Sequence, residues 1–252
     1  MKGFLIILFG LILVGCGGQE VRPQGQDESA AQAYTQLGMQ YLRSGDTANA
    51  KSAFQRAQEL APDILAAYNG LALVFQLEDE PELAETYFKK ALKKAPDSAM
   101  LHNNYGAFLF NSERYSEACR ELARATEDPF YNLRDQAFEN LGRCYQLINR
   151  PDAAEHALKR SLKLNPQRPF ATLELAKVLF EQGKLDQAEE YFEQYGELVD
   201  SKQVEHNATS LWLGVQISRM KNDALNAATY GLILKSMYPD SEEYKKYKES
   251  TP

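Results

Sequence analysis

From residue 30 onward, apolar and small side chains recur at the three- and four-residue spacing of amphipathic helices. The first such stretch carries Tyr34, Leu37 and Tyr41, which would share one face of a helix. A Ser-Gly-Asp turn follows, and a second stretch runs until Pro62, whose ring cannot continue a helix. The pattern therefore predicts two antiparallel helices, A and B, over residues 31–64.

The same positions return 34 residues later, which makes the helix pair a repeated unit. The matched positions are Tyr34/Tyr68, Leu37/Leu71, Gly38/Ala72, Tyr41/Phe75, Ala50/Ala84, Phe54/Phe88, Ala57/Ala91 and Pro62/Pro96. They resemble the tetratricopeptide repeat signature at all eight positions. Further copies follow, the last of them degenerate, and the predicted repeats are 31–64, 65–98, 99–132, 135–168, 169–202 and 207–241. We expect an all-α, right-handed superhelical solenoid of about six repeats over residues 31–248.

Small residues at two positions of each repeat would let helices A and B approach closely. They are Gly38, Ala72, Gly106, Gly142, Ala176 and Gly214 in helix A, and Ala50, Ala84, Ala118, Ala154 and Ala188 in helix B. One helix pair cannot bury its apolar face alone, so neighbouring repeats must stack, and a concave groove results. Most of the aromatic residues are therefore assigned to the core.

The N-terminal residues have a different character. Lys2 precedes an apolar run over residues 4–14, which as a helix would span about 16 Å, too short for a bilayer core of about 30 Å. The run predicts a signal peptide over residues 1–15. It ends in Leu-Val-Gly-Cys, which resembles the lipobox of bacterial lipoproteins, where the cysteine, here Cys16, is acylated and becomes the mature N terminus. The alternative is an ordinary buried cysteine behind a leader.

Residues 16–30 are rich in Gly, Gln, Pro and charge, and we expect an acylated N terminus followed by a flexible tether. Two or more acyl chains on Cys16 would anchor the protein stably. Gly17 stands directly after that cysteine. By resemblance to sorted lipoproteins, the absence of Asp there favours the outer membrane, with the repeats facing the periplasm.

Composition excludes several classes of function. The 252 residues carry 28 Lys and Arg against 35 Asp and Glu, a net charge of −7, which argues against a nucleic-acid partner. Three Cys and three His leave little material for a metal site, and no phosphate loop, zinc-protease motif or nucleophile elbow occurs. His102 occupies a repeat signature position and is interpreted as a packed core residue. We expect no catalytic residue, no metal, no small-molecule substrate, and no cofactor beyond a covalent lipid.

Two cysteines remain inside the repeats. Cys119 falls on helix B of the third repeat and Cys144 on helix A of the fourth, and these helices are neighbours in a stacked array. Export to an oxidising compartment would permit a disulfide between them. The alternative is two buried free thiols that act as small apolar residues.

In tetratricopeptide arrays, positions 2, 5, 9, 12 and 13 of helix A line the concave face. The residues we assign to a partner-binding groove on this basis are Met39, Leu42, Asn69, Leu73, Leu77, Met100, Asn103 and Phe110. The clamp that some repeat proteins use for a terminal carboxylate is not matched in the first repeat, where Thr35 and Met39 stand instead. The apolar members favour an apolar or amphipathic polypeptide segment as ligand. The alternative for any one of them is packing within the superhelix.

The leader, the lipobox, the short tether and six repeats together resemble the type IV pilus biogenesis lipoproteins of the PilF/PilW family. Local strings also resemble that family: Leu-His-Asn-Asn-Tyr-Gly at 101–106, Phe-Glu-Asn-Leu-Gly at 138–142, and the stretch 211–239. The resemblance implies a pilotin, which escorts the outer-membrane secretin subunit, promotes its multimerisation, and binds it toward the first repeats. The alternative is a lipid-anchored scaffold for other cell-envelope machinery.

Overall fold

A computed structural model of the chain describes residues 24–250, and within that range it forms thirteen α-helices and no strand. They are α1 (Gln24–Arg43), α2 (Thr47–Leu60), α3 (Leu65–Leu77), α4 (Pro81–Lys94), α5 (Ala99–Asn111), α6 (Tyr115–Ala125), α7 (Arg134–Leu147), α8 (Pro151–Leu164), α9 (Pro169–Glu181), α10 (Leu185–Asp200), α11 (Ala208–Met220), α12 (Ala224–Met237) and α13 (Glu242–Glu249). The first twelve form six A/B pairs, so the predicted all-α solenoid of six repeats is confirmed.

The A helices are the odd-numbered helices from α1 to α11, and the B helices are the even-numbered ones from α2 to α12. Each A helix packs most extensively on its own B helix, and each B helix then packs on the A helix of the next repeat. Several A helices also contact the next A helix directly, as α1 does α3 and α7 does α9. Between successive B helices of the described residues no comparable packing occurs. The stack therefore curves with the A helices inside, and we call their exposed surface the inner face.

Two positions after the last residue of each A helix, one residue adopts a left-handed backbone conformation and turns the chain into helix B. These residues are Gly45, Asp79, Glu113, Asn149, Gly183 and Asn222, with φ between 54° and 79°. The next backbone N–H then donates to a carbonyl in the last turn of helix A, as Glu80 does to Phe75 at 2.9 Å. Such a bond satisfies a carbonyl that the helix end leaves open. The tight turn predicted from Ser-Gly-Asp is thus common to all six repeats.

Small residues set the spacing of the helices in the core, as the sequence predicts. The helix B alanines Ala50, Ala84 and Ala118 are fully buried. The ring of Phe54 is also fully buried, and it lies against Gly38 of its own repeat and Gly70 of the next. A Cβ atom on Gly38 would come within 2.7 Å of that ring. Glycine is therefore required at these positions for packing, since the space beside each Cα is already filled.

The two repeat cysteines are joined by a disulfide in the structure, with a Cα–Cα distance of 5.5 Å. Cys119 lies on α6 and Cys144 on α7, so the bridge links the third repeat to the fourth. The two residues are separated by 25 positions in the sequence. Closing a loop of this length contributes about 3 kcal/mol in the chain-entropy model. The predicted repeats 99–132 and 135–168 are separated by two extra residues, which interrupt the 34-residue period. The bridge therefore joins the two repeats on either side of that insertion.

The tether predicted over residues 16–30 extends too far in the sequence-based assignment. Helix α1 begins at Gln24, and Asp27 lies in its first turn, where a carboxylate favours the helix dipole. Residues 24–30 are mostly polar, but Gln, Glu and Ala are also helix formers, and they extend a helix that is held by packing further along. The signal peptide over 1–15 and Cys16 lie outside the described residues.

The C-terminal helix α13 has no counterpart in the predicted repeats. It packs against α11 and α12, and the Thr209 hydroxyl donates a 2.9 Å hydrogen bond to Glu243. Tyr247 occupies the space beside the buried Gly231 of α12. Helix α13 thus covers the end of the last repeat, as terminal elements with a polar outer surface do in solenoids.

Candidate functional site

The six apolar residues predicted for the groove lie on the A helices of the first three repeats. We call them the apolar strip: Met39, Leu42, Leu73, Leu77, Met100 and Phe110. Leu77 is 60% exposed and Met100 is 37% exposed. Met39 and Leu42 are half-buried against the core of the first repeats, and Leu73 and Phe110 against the next core cluster. The strip therefore combines exposed side chains with side chains fixed by the core beneath.

The two amides assigned to the groove, Asn69 and Asn103, are expected from the sequence to be exposed there, but the structure buries both. Both are only 5% exposed. The side-chain oxygen of Asn69 accepts a 3.0 Å hydrogen bond from Asn104, and that of Asn103 accepts one of 3.2 Å from Asn140. These bonds run from each A helix to the preceding one. The amides therefore hold successive repeats together, and they offer a ligand little surface.

The inner face continues into the fourth and fifth repeats, where it carries residues that are not among the predicted groove residues. Arg143 of α7 lies over the rings of Phe110 and Phe170, with its guanidinium carbon 5.0 and 4.7 Å from the two ring centroids. Phe170 is 39% exposed. Arg143 and Phe170 occupy positions 9 and 2 of the predicted repeats 135–168 and 169–202, so extending the position rule beyond the third repeat finds both.

Buried charge on this side of the molecule is paired and structural. Arg168 precedes α9 and donates two hydrogen bonds of 2.8 Å to Glu139 and one of 3.0 Å to Asp135. The bond to Glu139 is the main reason that the pKa of Arg168 is raised. Glu139 lies at position 5 of the predicted repeat 135–168 but is only 8% exposed. These contacts satisfy a buried carboxylate and fasten the fourth repeat to the fifth.

His102 is packed in the core, as its signature position suggested, and is 3% exposed. Its Nδ1 lies 2.6 Å from a carboxylate oxygen of Glu121, and its Nε2 lies 2.7 Å from the carbonyl oxygen of Pro96. The ring therefore joins helices A and B of the third repeat to the turn before them. This is a structural position, away from the inner face.

Neither a metal cluster nor a membrane span is found among residues 24–250. No group of three or more His, Cys, Asp or Glu side chains in that range is arranged to hold a metal ion. None of the thirteen helices described combines the length and apolar character that crossing a bilayer requires.

Two tetratricopeptide repeat family models match the chain, one over residues 29–97 and 97–167 and the other over 140–202. Proteins of this family are typically non-catalytic scaffolds that bind other proteins. The type IV pilus assembly protein PilF of Pseudomonas aeruginosa is 36% identical over 252 residues, covering 98% of each chain.

Solved structures give the same assignment. A structure of Pseudomonas aeruginosa PilF matches with a TM-score of 0.83 and 36% identity, over 90% of this chain and all of that one. PilW, described as a widely conserved type IV pilus biogenesis factor, matches with a TM-score of 0.73 and 32% identity, over 86% of this chain and 98% of that one. The chain therefore belongs to the tetratricopeptide repeat family and, within it, to the type IV pilus biogenesis proteins related to PilF and PilW.

Proposed function

We propose that this chain is an outer-membrane lipoprotein that acts as a pilotin for the type IV pilus. It would bind the secretin subunit and promote its localisation and multimerisation in the outer membrane. The observation that carries the proposal is the apolar strip on the inner face, in a chain related to a pilus assembly protein. A strip of this kind suits a partner segment that would otherwise expose apolar side chains to water.

The proposed mechanism requires only non-covalent binding and no catalytic step. Burying an apolar segment against the strip contributes roughly 25 cal/mol per Å² of apolar surface removed from water, and the entropic cost of association offsets part of this gain. Leu77 and Met100 provide exposed contact area, and Met100 can adapt to differently shaped side chains. The segment stays shielded until the secretin subunits assemble and bury it among themselves. The acyl chains on Cys16 would hold the complex at the outer membrane during that interval.

The strip is tested by charge substitutions that leave the core intact. In a strain without this protein, secretin multimers are measured by membrane fractionation and a non-denaturing gel after complementation with Leu77→Glu/Met100→Glu. We expect multimers to fall to the level of the deletion strain. The matched control is Leu83→Glu/Leu225→Glu, which changes two leucines, 43% and 78% exposed, on the B helices α4 and α12. That control should restore normal multimers, and equal loss in both variants would reject a role for the inner face.

The anchor is tested separately with Cys16→Ala. We expect a folded protein that still binds the secretin subunit but leaves it in the inner membrane as monomers. Secretin multimers at normal abundance in the outer membrane, in this variant or in the deletion strain, would contradict the pilotin proposal. The chain would then be assigned as a lipid-anchored scaffold for other envelope machinery.

A further inference from the structure

Arg143 lies on the inner face between residues of two other repeats. Its guanidinium contacts the ring of Phe110 on α5 and the ring of Phe170 on α9, so one cation is held across three successive A helices. Phe110 is itself fixed, because it packs edge-on against Tyr115 with ring centroids 5.4 Å apart. Aromatic rings on both neighbours reduce the freedom of the arginine side chain before any ligand arrives.

No carboxylate of residues 24–250 pairs with Arg143, and no hydrogen bond from its guanidinium is found within that range. Two other arginines of the stack, which lie just before a helix, are paired with carboxylates. Arg168 donates to Glu139 and Asp135, and Arg114 donates to Glu85 and Glu117. A guanidinium carries five N–H donors in a planar fork that matches a carboxylate. Arg143 therefore presents preorganised donors whose acceptor is not supplied by the described part of the chain.

A small cavity of about 50 Å³ lies beside this guanidinium. Its walls are formed by Ala107, Phe110, Asn111, Leu122, Asn140 and Arg143. One water molecule needs about 10–15 Å³ of such volume, so a small aliphatic side chain could enter. Ala107, Phe110 and Leu122 supply the apolar part of this lining, and the amides of Asn111 and Asn140 supply polar groups beside the cation. The side-chain N–H of Asn140 is already used, because it donates to Asn103.

We propose that Arg143 and this cavity form a binding subsite for an acidic side chain followed by a small aliphatic residue, within an extended segment of the partner polypeptide. The carboxylate would accept two hydrogen bonds from Arg143, and the aliphatic side chain would enter the cavity. Charge complementarity selects this occupant, because the Arg143 guanidinium has no carboxylate partner among residues 24–250 and a carboxylate would supply one.

This subsite rests on the proposed function in one respect, since the segment would belong to the partner that the apolar strip binds. It adds a chemical requirement that the strip lacks. The strip contacts apolar side chains of the partner in the first three repeats. The subsite binds one carboxylate of the partner, between residues of the third, fourth and fifth repeats. A partner segment that spans both would carry apolar residues toward one end and an acidic residue toward the other.

The test uses the full chain and a set of paired fluorescent octapeptides with blocked ends. Each pair has the same sequence with Asp or Asn at the fourth position, and the fifth position is Ala, Val, Leu or Ser. Dissociation constants are measured by fluorescence anisotropy. We expect the best Asp peptide to bind about tenfold more tightly than its Asn partner, since a charge-assisted bidentate pair is lost. Val or Ala at the fifth position should be preferred to Ser.

Three variants locate the site. Arg143→Gln should reduce binding of the best Asp peptide to the level of its Asn partner, and Arg143→Lys should give an intermediate affinity, because it keeps the charge and loses the fork. Phe170→Ala keeps the arginine but removes one of the two rings beside it, and binding of the best Asp peptide should weaken several-fold. This variant tests the subsite independently if Arg143→Gln folds poorly. The matched control Arg120→Gln changes an exposed arginine of α6 and should bind as the parent chain does.

Equal affinity for the Asp and Asn peptides, or no binding by any peptide below 1 mM, would overturn the subsite. Competition by inorganic phosphate alone, with no preference among the peptides, would also overturn it and indicate a phosphate site. Failure of the proposed function is distinguishable, because secretin multimerisation is measured in cells and peptide binding on the purified chain. Carboxylate-dependent binding with normal secretin assembly in the deletion strain would keep the subsite and reject the pilotin role.

Discussion

The side-chain amide of Asn104 donates a 3.0 Å hydrogen bond to the side-chain oxygen of Asn69, across the boundary between the second and third repeats. The arrangement occurs again one repeat later, between Asn140 and Asn103 at 3.2 Å. The acceptors are almost completely buried. Successive A helices are thus joined by polar bonds near the inner face, in addition to the apolar contacts deeper in the stack. Because each bond pairs one particular residue of an A helix with one particular residue of the preceding A helix, it fixes the register between neighbouring repeats.

Removing one member of the first amide pair should destabilise the repeat boundary. Asn69→Ala deletes the acceptor and leaves the Asn104 amide without its partner, so we expect a loss of about 1–2 kcal/mol in the free energy of unfolding. Urea unfolding followed by circular dichroism measures this value. A double-mutant cycle with Asn104→Ala supplies the control, because the two losses should be less than additive by about 0.5 kcal/mol or more. Strictly additive losses would show that the bond contributes nothing to stability.

Close packing around Phe54 gives a second prediction. Gly70→Ala would place a methyl group inside the space of the Phe54 ring, which is completely buried and also contacts Gly38. Overpacking of this kind costs about 1–3 kcal/mol, which exceeds the gain of about 1 kcal/mol in helix propensity. We expect a lower urea midpoint with an unchanged helix content.

Gly196→Ala is the matched control for that substitution. Gly196 also lies within a helix, α10, but a Cβ atom there would have no neighbour within 4 Å. The helix propensity gain is then the only effect, and the variant should be more stable than the parent by about 0.5–1 kcal/mol. If Gly70→Ala stabilised the protein as Gly196→Ala does, the tight contact with Phe54 would be disproved.

The repeat period allows the fold to be predicted from sequence, because it reports contacts within one helix pair. Small residues recur at the position of Gly38 in all six repeats, and alanine recurs at the position of Ala50 in the first five. The structure buries these positions between helices A and B. The exposed fraction of Asn69 cannot be predicted from the repeat period. It depends on how closely one A helix approaches the next, which is set by the curvature of the whole stack.

Long-range contacts explain the other differences. Arg143 contacts Phe110 and Phe170, which belong to the preceding and the following repeat and lie 33 and 27 positions away in the sequence. No sequence pattern indicates that these three side chains contact one another. The start of α1 at Gln24 cannot be predicted from sequence, because polar composition alone does not separate a solvated helix turn from a flexible tether. Helix α13 was missed because a capping helix contacts only the last repeat and has no period of its own.

His102 is surrounded by hydrogen-bond acceptors. Burial acts to lower the pKa of His102, but the hydrogen bonds to Glu121 and to the Pro96 carbonyl outweigh it, so the pKa is raised above the ordinary 6.5. The cation of Arg124 opposes this shift weakly. Both ring nitrogens face an oxygen, and only the doubly protonated ring can donate to both. The folded state therefore favours the imidazolium.

Protonation of His102 makes folding stability depend on pH in a defined direction. The raised pKa contributes stability that is fully present below about pH 6.5 and is lost as pH rises through the folded-state pKa. Burial lowers the pKa of the His206 ring, so His206 has the opposite effect on stability. It reduces the free energy of unfolding only as pH falls below about 6.5.

Urea unfolding between pH 6.5 and 8.5 therefore isolates the effect of His102, and the free energy of unfolding should decline over that range. His102→Gln should abolish the decline, and the exposed control His156→Gln should preserve it. A decline of the same size in His102→Gln would assign the pH dependence to another group.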